Sequence, residues 1–288
     1  MTQRGDTAAP PAGGMMAELA EADARGEIAR IYDELRVYCG VPYVSSLQRH
    51  VATMPGCLEY AWAAVRPAFV DGTIPTTAWR LASMVDVAPH PPLTAAAMRL
   101  LGVDAAGVRA IRNVCENFVR VAPINLLLAG CVEKLLGGAR TGGAADTARA
   151  PWSPLPMLEP MPAMVDLARS SADVRDTLLG LATEIGGRPF VPGLYRLVAP
   201  WPAYLAHAAT LIRPALRDEA ARRARAEIAH RIIGAADDVL AALPPLPADR
   251  APPSPEQASA IVAAIHTYRV TSPEMIVFGT LLRDALPD

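Results

Sequence analysis

Two arginines, Arg49 and Arg196, are the polar residues of this sequence most easily connected with binding a charged ligand. Each lies two residues after a leucine, within an otherwise apolar stretch. A guanidinium group can bind a carboxylate through two parallel hydrogen bonds, so a pair of arginines suits a small acid. The same groups could equally bond the carbonyl ends of neighbouring helices. The sequence therefore predicts either an anion site or a repeated structural contact.

Other side chains with chemical potential are His50, Asn125 and Tyr268. None of the five histidines lies four residues from another, and the four cysteines form no C-x-x-C pair. We find no phosphate-binding loop, dinucleotide fingerprint or nucleophile elbow. We therefore expect no metal and no cofactor. The cysteines are predicted to be buried, reduced thiols, namely Cys39, Cys57, Cys115 and Cys131.

The two arginines belong to an internal repeat. Residues 42–67 and 189–214 align without a gap at a separation of 147, and eleven of the 26 aligned positions are identical. Chance would supply roughly two identities at average residue usage. Repetition of this kind predicts a duplicated structural unit, with the function placed where the two copies meet.

Apolar residues recur at helical spacing along most of the chain, as in Ile28, Ile31, Tyr32 and Leu35. Helices are predicted from about 27, 46, 57, 78, 93, 105 and 124, and in the second copy over 164–185, over 216–243 and from 255. Pro123 is expected to interrupt its helix, and Pro273 matches it at a separation of 150. No alternating pattern indicates a strand. The predicted fold is all-α, with two pseudo-repeated helical units joined by a Pro-rich linker.

Changes in composition divide the chain into four parts. Residues 1–25 are interpreted as a disordered leader, 26–137 as the first helical repeat, 138–162 as a Gly/Pro-rich linker and 163–288 as the second helical repeat. The net charge of −2 offers no footprint for nucleic acid. No apolar run approaches the ~20 residues of a membrane span, and no secretory signal is recognised. We expect a cytoplasmic protein that binds neither nucleic acid nor membrane.

The sequence resembles the DehI-type 2-haloacid dehalogenases over about residues 26–285. The resemblance rests on Pro42-Tyr43-Val44, on Pro55 and Gly56 with Leu58, Ala61 and Trp62, and on Trp201-Pro202. It implies an all-α pseudo-dimer with the active site between the repeats. The implied chemistry is attack of an activated water on the α-carbon of a 2-haloacid, without metal or cofactor.

When the site residues of this family are matched to the sequence one by one, the two residues that act on water are missing. The aspartate that activates the water is replaced by Leu194, preceded by Gly193 where the family has serine. Ala122 stands where an asparagine positions the water. Tyr43 matches a pocket aromatic and Ser46 replaces another. Leucine cannot accept a proton, so the candidate substitutes are Glu274, Glu184, Asn125 and His50.

Two classes of function remain open. One is a hydrolase-like enzyme that acts on another small molecule, with a small carboxylic acid as the expected ligand. The other is a non-catalytic small-acid binder or an oligomeric scaffold. A homodimer is compatible with the sequence. Convergent polar groups around a void would favour a ligand site, and a filled apolar seam would favour a scaffold. The predicted pocket comprises Tyr43, Ser46, Arg49, His50, Ala122, Asn125, Gly193, Leu194, Arg196 and Tyr268.

Overall fold

The structure, a computed structural model, describes residues 16–84, 86–142 and 152–288. In the first half, the helices are α1 (Gly26–Cys39), α2 (Ser46–Val51), α3 (Cys57–Val70), α4 (Thr73–Ala82), α5 (Ala95–Leu100) and α6 (Ala105–Leu136). The second half contains α7 (Ala172–Leu179), strands β1 (Thr183–Ile185) and β2 (Arg188–Phe190), α8 (Gly193–Val198), α9 (Pro202–Arg217), α10 (Glu219–Gly234), α11 (Ala236–Ala241) and α12 (Pro255–Asp284). The fold is therefore mostly helical, as predicted.

Several helix boundaries follow from local sequence. Helix α1 ends at Gly40, which takes the left-handed conformation at φ 63°. This conformation favours glycine because glycine has no side chain. Helix α12 begins at Pro255, as predicted, with a capping box in which the Ser254 hydroxyl accepts from the Gln257 amide while the Gln257 side chain accepts from the Ser254 amide. Both helix ends are set locally, because capping depends on a few adjacent residues.

The expectation that no strand exists is wrong. The segment predicted as a helix over 164–185 holds a 3-10 turn at Leu167–Arg169 and the short helix α7, after which β1 and β2 pair antiparallel, with Thr183 opposite Phe190 and Ile185 opposite Arg188. Gly186 and Gly187 form the turn with φ values of 58° and 74°. Two consecutive positive φ angles suit a tight hairpin turn, which the Gly-Gly pair makes possible. A Gly-Gly pair by itself does not distinguish this turn from the end of a helix, because either role uses glycine.

Two other helix predictions need correction. Pro123 and Pro273 do not interrupt their helices, because α6 and α12 continue through them and pack along each other. Gly279 makes this contact close, since a Cβ there would lie 3.2 Å from the Val119 side chain. The helix predicted over 216–243 is instead divided between the end of α9, α10 and α11, with the Asp218 carboxylate capping α10.

The segments outside the two helical halves are anchored to them. Residues 16–25, assigned to the disordered leader, instead pack on the first half, where the Leu19 amide donates to the Arg49 carbonyl over 2.9 Å. In the linker, the Leu158 amide donates to the Gly40 carbonyl, and Arg120 donates to the Pro156 carbonyl over 2.6 Å. Residues 1–15 of the predicted leader and 143–151 of the predicted linker lie outside the described residues.

The core is continuous between the two halves. Helix α8 packs against α6, and α2 packs against α12, so each short helix lies on the long helix of the other half. All four cysteines are buried and free, as predicted. Over the residues described, no helix is both long and apolar enough to cross a bilayer. The duplication itself stays a prediction, as do the boundaries between the repeats.

Candidate functional site

A cavity of about 640 Å³ lies where the two halves meet. Its wall is built from the connection before α2, the middle of α6 and the middle of α12, together with the start of α8. Residues 160–162 of the linker, Met164 and the hairpin β1–β2 complete it, with Met16 and Glu18 at one side. A space of this size is typical of small-molecule sites, which occupy about 300–1,000 Å³.

The structure brings eight of the ten predicted pocket residues to this wall. They are Tyr43, Ser46, Arg49, Ala122, Asn125, Gly193, Arg196 and Tyr268. The other two lie elsewhere. His50 is 2.8 Å from the carbonyl of Ala17 through its Nδ1 atom, and the Leu194 side chain is completely buried in the core, away from the wall. Whether the eight bind a substrate stays a prediction.

Arg196 projects from α8 into this wall while being only 9% exposed. Its Nε atom donates to the Val165 carbonyl over 2.9 Å, which holds the base of the guanidinium in place. Across the described ranges, no carboxylate lies within ion-pair distance of it. Burial lowers its pKa and the charge of Asp166 opposes that effect, but guanidinium remains protonated in proteins. The wall thus contains a buried positive charge that no described carboxylate pairs with.

Arg49 differs from Arg196 in having a partner. Its Nη2 atom lies 2.7 Å from Oε2 of Glu18, whose side chain is 13% exposed. A weaker contact of 3.5 Å joins the same nitrogen to the Ser46 hydroxyl. The two arginines align in the sequence repeat, but among the described residues Arg49 has a carboxylate partner and Arg196 has none.

Two tyrosines and an asparagine add uncharged hydrogen-bonding groups. Burial raises the pKa of both Tyr43 and Tyr268, so both hydroxyls stay protonated and can donate. The Tyr43 hydroxyl is buried without a hydrogen-bond partner. Buried polar groups are rarely left unsatisfied, so such a group beside a cavity marks a place for a ligand or water.

Asn125 is fixed at one end only. Its Oδ1 atom accepts a 2.9 Å hydrogen bond from Gln48, while its Nδ2 atom is buried without a hydrogen bond of ordinary geometry. The Asn125 side chain interacts with Tyr268, as do Ser45 and Ser272, and these contacts oppose the effect of burial on the pKa of Tyr268. Donors therefore converge on the cavity from α6, α12 and the connection before α2.

The carboxylates proposed to replace the missing aspartate are not at the wall. Glu184 is exposed on β1. Glu274 is buried, and burial raises its pKa although hydrogen bonds from Tyr195 and Thr183 oppose this. The carboxylate that the wall does contain, Glu18, is paired with Arg49. Of the described side chains, no group of three or more His, Cys, Asp or Glu could hold a metal ion.

Sequence reasoning missed several parts of the wall. Glu18 was assigned to a leader and Met161 to a linker, while Met164 and Phe190 were assigned to the second repeat without a place in the pocket. No local pattern identifies these residues, because each reaches the cavity through a segment without helical periodicity. The methionines and Phe190 make the wall considerably more apolar than the predicted pocket.

No family model matches the chain, but individual proteins do. It is 28% identical to an (R)-2-haloacid dehalogenase of Pseudomonas putida, over 73% of this chain and 72% of that protein. It is 25% identical to a configuration-inverting 2-haloacid dehalogenase of Alcaligenes xylosoxydans xylosoxydans, over 65% of each chain. The homologues of this chain are thus 2-haloacid dehalogenases.

Solved structures show the same fold. A D-2-haloacid dehalogenase mutant superposes with a TM-score of 0.71 at 25% identity, covering 96% of this chain and 97% of that one. A mutant in complex with D-2-CPA also gives 0.71, at 24% identity and with 94% and 96% of the chains covered. The complex of D-2-haloacid dehalogenase with L-LA gives the same score, at 24% identity and with 96% and 98% covered. The likeness extends over nearly the whole chain.

Proposed function

We propose that this chain is a 2-haloacid dehalogenase-like protein whose central cavity binds a carboxylic acid, with Arg196 pairing with the carboxylate. The observation that carries the proposal is the buried guanidinium at the cavity wall, which has no carboxylate partner in the part of the chain that the structure describes. An uncompensated buried charge is costly, and an anionic ligand offsets that cost. The homologues support the same ligand class, because they are named for their action on 2-haloacids.

The remaining donors suit a carboxylic acid with a polar substituent. The Tyr43 hydroxyl and the Asn125 amide nitrogen are both buried and without ordinary partners, so they can donate to oxygen or halogen atoms of a bound acid. Arg49 contributes less, because Glu18 already balances its charge. The resulting arrangement supplies one charged contact and several neutral ones.

Hydrolysis of 2-haloacids by the mechanism of the resembling family does not fit this arrangement. Leu194 has no proton acceptor and lies away from the wall, and Ala122 has no group to hold a water. General-base catalysis typically contributes about 10²–10⁴ in rate, all of which such a site forgoes. We therefore favour a different reaction on the bound acid over dehalogenation by that route.

A non-catalytic acid-binding protein is the second candidate. This candidate is favoured because Glu18, the carboxylate of the described wall that would serve as a base, is already paired with Arg49. A pure scaffold is less well supported, since it predicts a filled apolar seam where the cavity lies.

The test is calorimetric binding of acids and their neutral amides, such as lactate against lactamide. Wild-type protein should prefer the acid, and Arg196→Met should remove that preference while retaining an apolar stem of similar length. The control is the double variant Glu18→Gln with Arg49→Met, which removes the ion pair as a unit and should keep most of the preference because the two charges balance each other. Equal binding of lactate and lactamide by the wild type would overturn the proposal.

A further inference from the structure

The cavity is much larger than a three-carbon acid. Liquid water occupies about 30 Å³ per molecule, so 640 Å³ corresponds to roughly 20 non-hydrogen atoms at liquid packing. A 2-halopropionate has about six non-hydrogen atoms, and small-molecule sites usually bury most of the ligand surface. A ligand of that size would leave most of this space unfilled.

The space beyond the charged and polar donors is bounded by large apolar side chains. They are Phe118, Met161, Met164, Ile185, Phe190 and Met275. Met164 is 46% exposed, and its methyl group lies close to the position that a Cβ on Gly193 would occupy, at 3.3 Å. Phe118 reaches the same point at 3.3 Å. Gly193 thus leaves room between two apolar side chains at the start of the helix that carries Arg196.

Methionine suits a wall that contacts a flexible ligand. Its unbranched, polarisable side chain adapts to irregular apolar shapes. An apolar wall beside a buried cation has one simple complement, which is a molecule with a carboxylate at one end and an apolar chain behind it. Transfer of that chain from water to the wall would then add to the affinity.

We propose that the ligand is an aliphatic carboxylic acid with a chain of about six to ten carbons, the upper part of this range filling roughly half of the space estimated above. This inference rests on the proposed function, since Arg196 anchors the carboxylate. The chain lies against Met161, Met164 and the hairpin, and the Tyr43 and Asn125 donors contact oxygen atoms at the carboxylate end.

The test measures binding of straight-chain acids from propionate to dodecanoate to the full-length protein, alongside the matching primary amides. Affinity should rise by about two- to fourfold per methylene, since each buried CH₂ contributes at most about a fourfold factor. The rise should end beyond about ten carbons, at the upper end of the proposed range. Acids should bind better than amides at every length.

The outcomes separate this inference from the proposed function. If affinity is independent of the length of the acid while acids are still preferred through Arg196, the inference of an aliphatic chain is wrong but the proposed acid site is supported. Length-dependent binding that is equal for acids and amides would overturn both, because the anchor would be absent. Binding of none of the acids would also overturn both.

A variant that reduces the volume gives a second measurement. Ser46 lies at the wall at the start of α2 and is half-buried, so Ser46→Phe places a ring in the cavity. Octanoate affinity should fall at least tenfold while propionate affinity changes less than threefold. Ser83→Phe, the same change at an exposed position after α4, should alter neither. Equal losses for octanoate and propionate in Ser46→Phe would contradict a chain that fills this space.

Discussion

The Tyr195 hydroxyl donates a 2.6 Å hydrogen bond to Oε1 of Glu274, and this buried pair joins α8 to the middle of α12. Thr183 donates to the other carboxylate oxygen over 3.2 Å, which ties the hairpin to the same point. Because Tyr195 precedes Arg196 in α8, the hydrogen bond to Glu274 also fixes the helix that carries the Arg196 guanidinium. Gln48 and Asn125 form a similar buried bond between α2 and α6.

Replacement of Glu274 by glutamine should flatten the dependence of stability on pH. Burial raises the pKa of Glu274, so its proton is bound more tightly in the folded state. The stability linked to that proton is complete below the ordinary glutamate pKa and is lost as pH rises through the raised value. Thermal unfolding from pH 4 to 8 should show this fall in the wild type and a smaller one in Glu274→Gln.

Glu34→Gln is the control for this prediction, with the opposite sign. Hydrogen bonding from Arg66, with smaller help from Trp62, lowers the pKa of Glu34 against the effect of burial. Its stabilisation is present above the ordinary glutamate pKa and is lost as pH falls through the lowered value. Parallel stability curves for the wild type and Glu274→Gln would show that Glu274 titrates normally.

Introduction of aspartate at position 194 should destabilise the protein without producing a dehalogenase. Leu194 is completely buried, so Leu194→Asp loses apolar contacts and buries a carboxyl group, at a cost of about 3–5 kcal/mol. Chemical denaturation measures this cost, and Leu194→Asn separates the loss of packing from the charge. Halide release from both enantiomers of 2-chloropropionate should be absent in the wild type and in the variant. Turnover by the wild type at about 1 s⁻¹ or faster would reveal an unidentified base.

Removal of the Tyr43 hydroxyl should weaken binding without weakening the fold. The hydroxyl is buried and unpartnered, so Tyr43→Phe should leave the free energy of unfolding unchanged or raise it slightly. If the hydroxyl donates to the bound acid, the affinity falls about 2–10-fold. Tyr38→Phe is the control, because Tyr38 packs against Trp62 and Phe69 away from the cavity. A loss of stability in Tyr43→Phe with unchanged affinity would assign the hydroxyl a purely structural role.

Two glycines with the same backbone angle should respond differently to alanine. Gly72 and Gly56 both have φ of 78°, so each Ala variant carries a conformational cost of about 1–2 kcal/mol. Only at Gly72 would the new Cβ meet another residue, 2.3 Å from the Trp152 ring, while nothing lies within 4 Å at Gly56. Gly72→Ala should therefore cost about 1–3 kcal/mol more.

Denaturation of both variants, and of Gly72→Ala combined with Trp152→Ala, measures this difference. The double variant should lose less stability than the two single changes together, because removal of the ring relieves the clash. Equal costs at Gly56 and Gly72 would mean that Trp152 does not pack on the first half. The linker residue would then contribute nothing to holding the halves together.

Features that depend on neighbouring residues were predictable from the sequence. Helical periodicity gave α1, and capping chemistry gave the start of α12. The repeated arginines pointed to the region that contains the cavity, because they recur within an apolar pattern that the repeat makes visible. The prolines in α6 and α12 led to a wrong prediction of helix breaks, because packing between the two helices outweighs the lost backbone hydrogen bond.

The sequence alone determined a mostly helical chain and its likeness to 2-haloacid dehalogenases. Only the tertiary structure decided which charges are balanced, since Glu18 reaches Arg49 across 31 positions of chain while Arg196 finds no such partner in the described part of the protein. It also decided that Leu194 points into the core and that Met161 and Met164 line the cavity. Local patterns specify elements through neighbouring residues, whereas the charge and volume of a site depend on segments that folding brings together from distant parts of the chain.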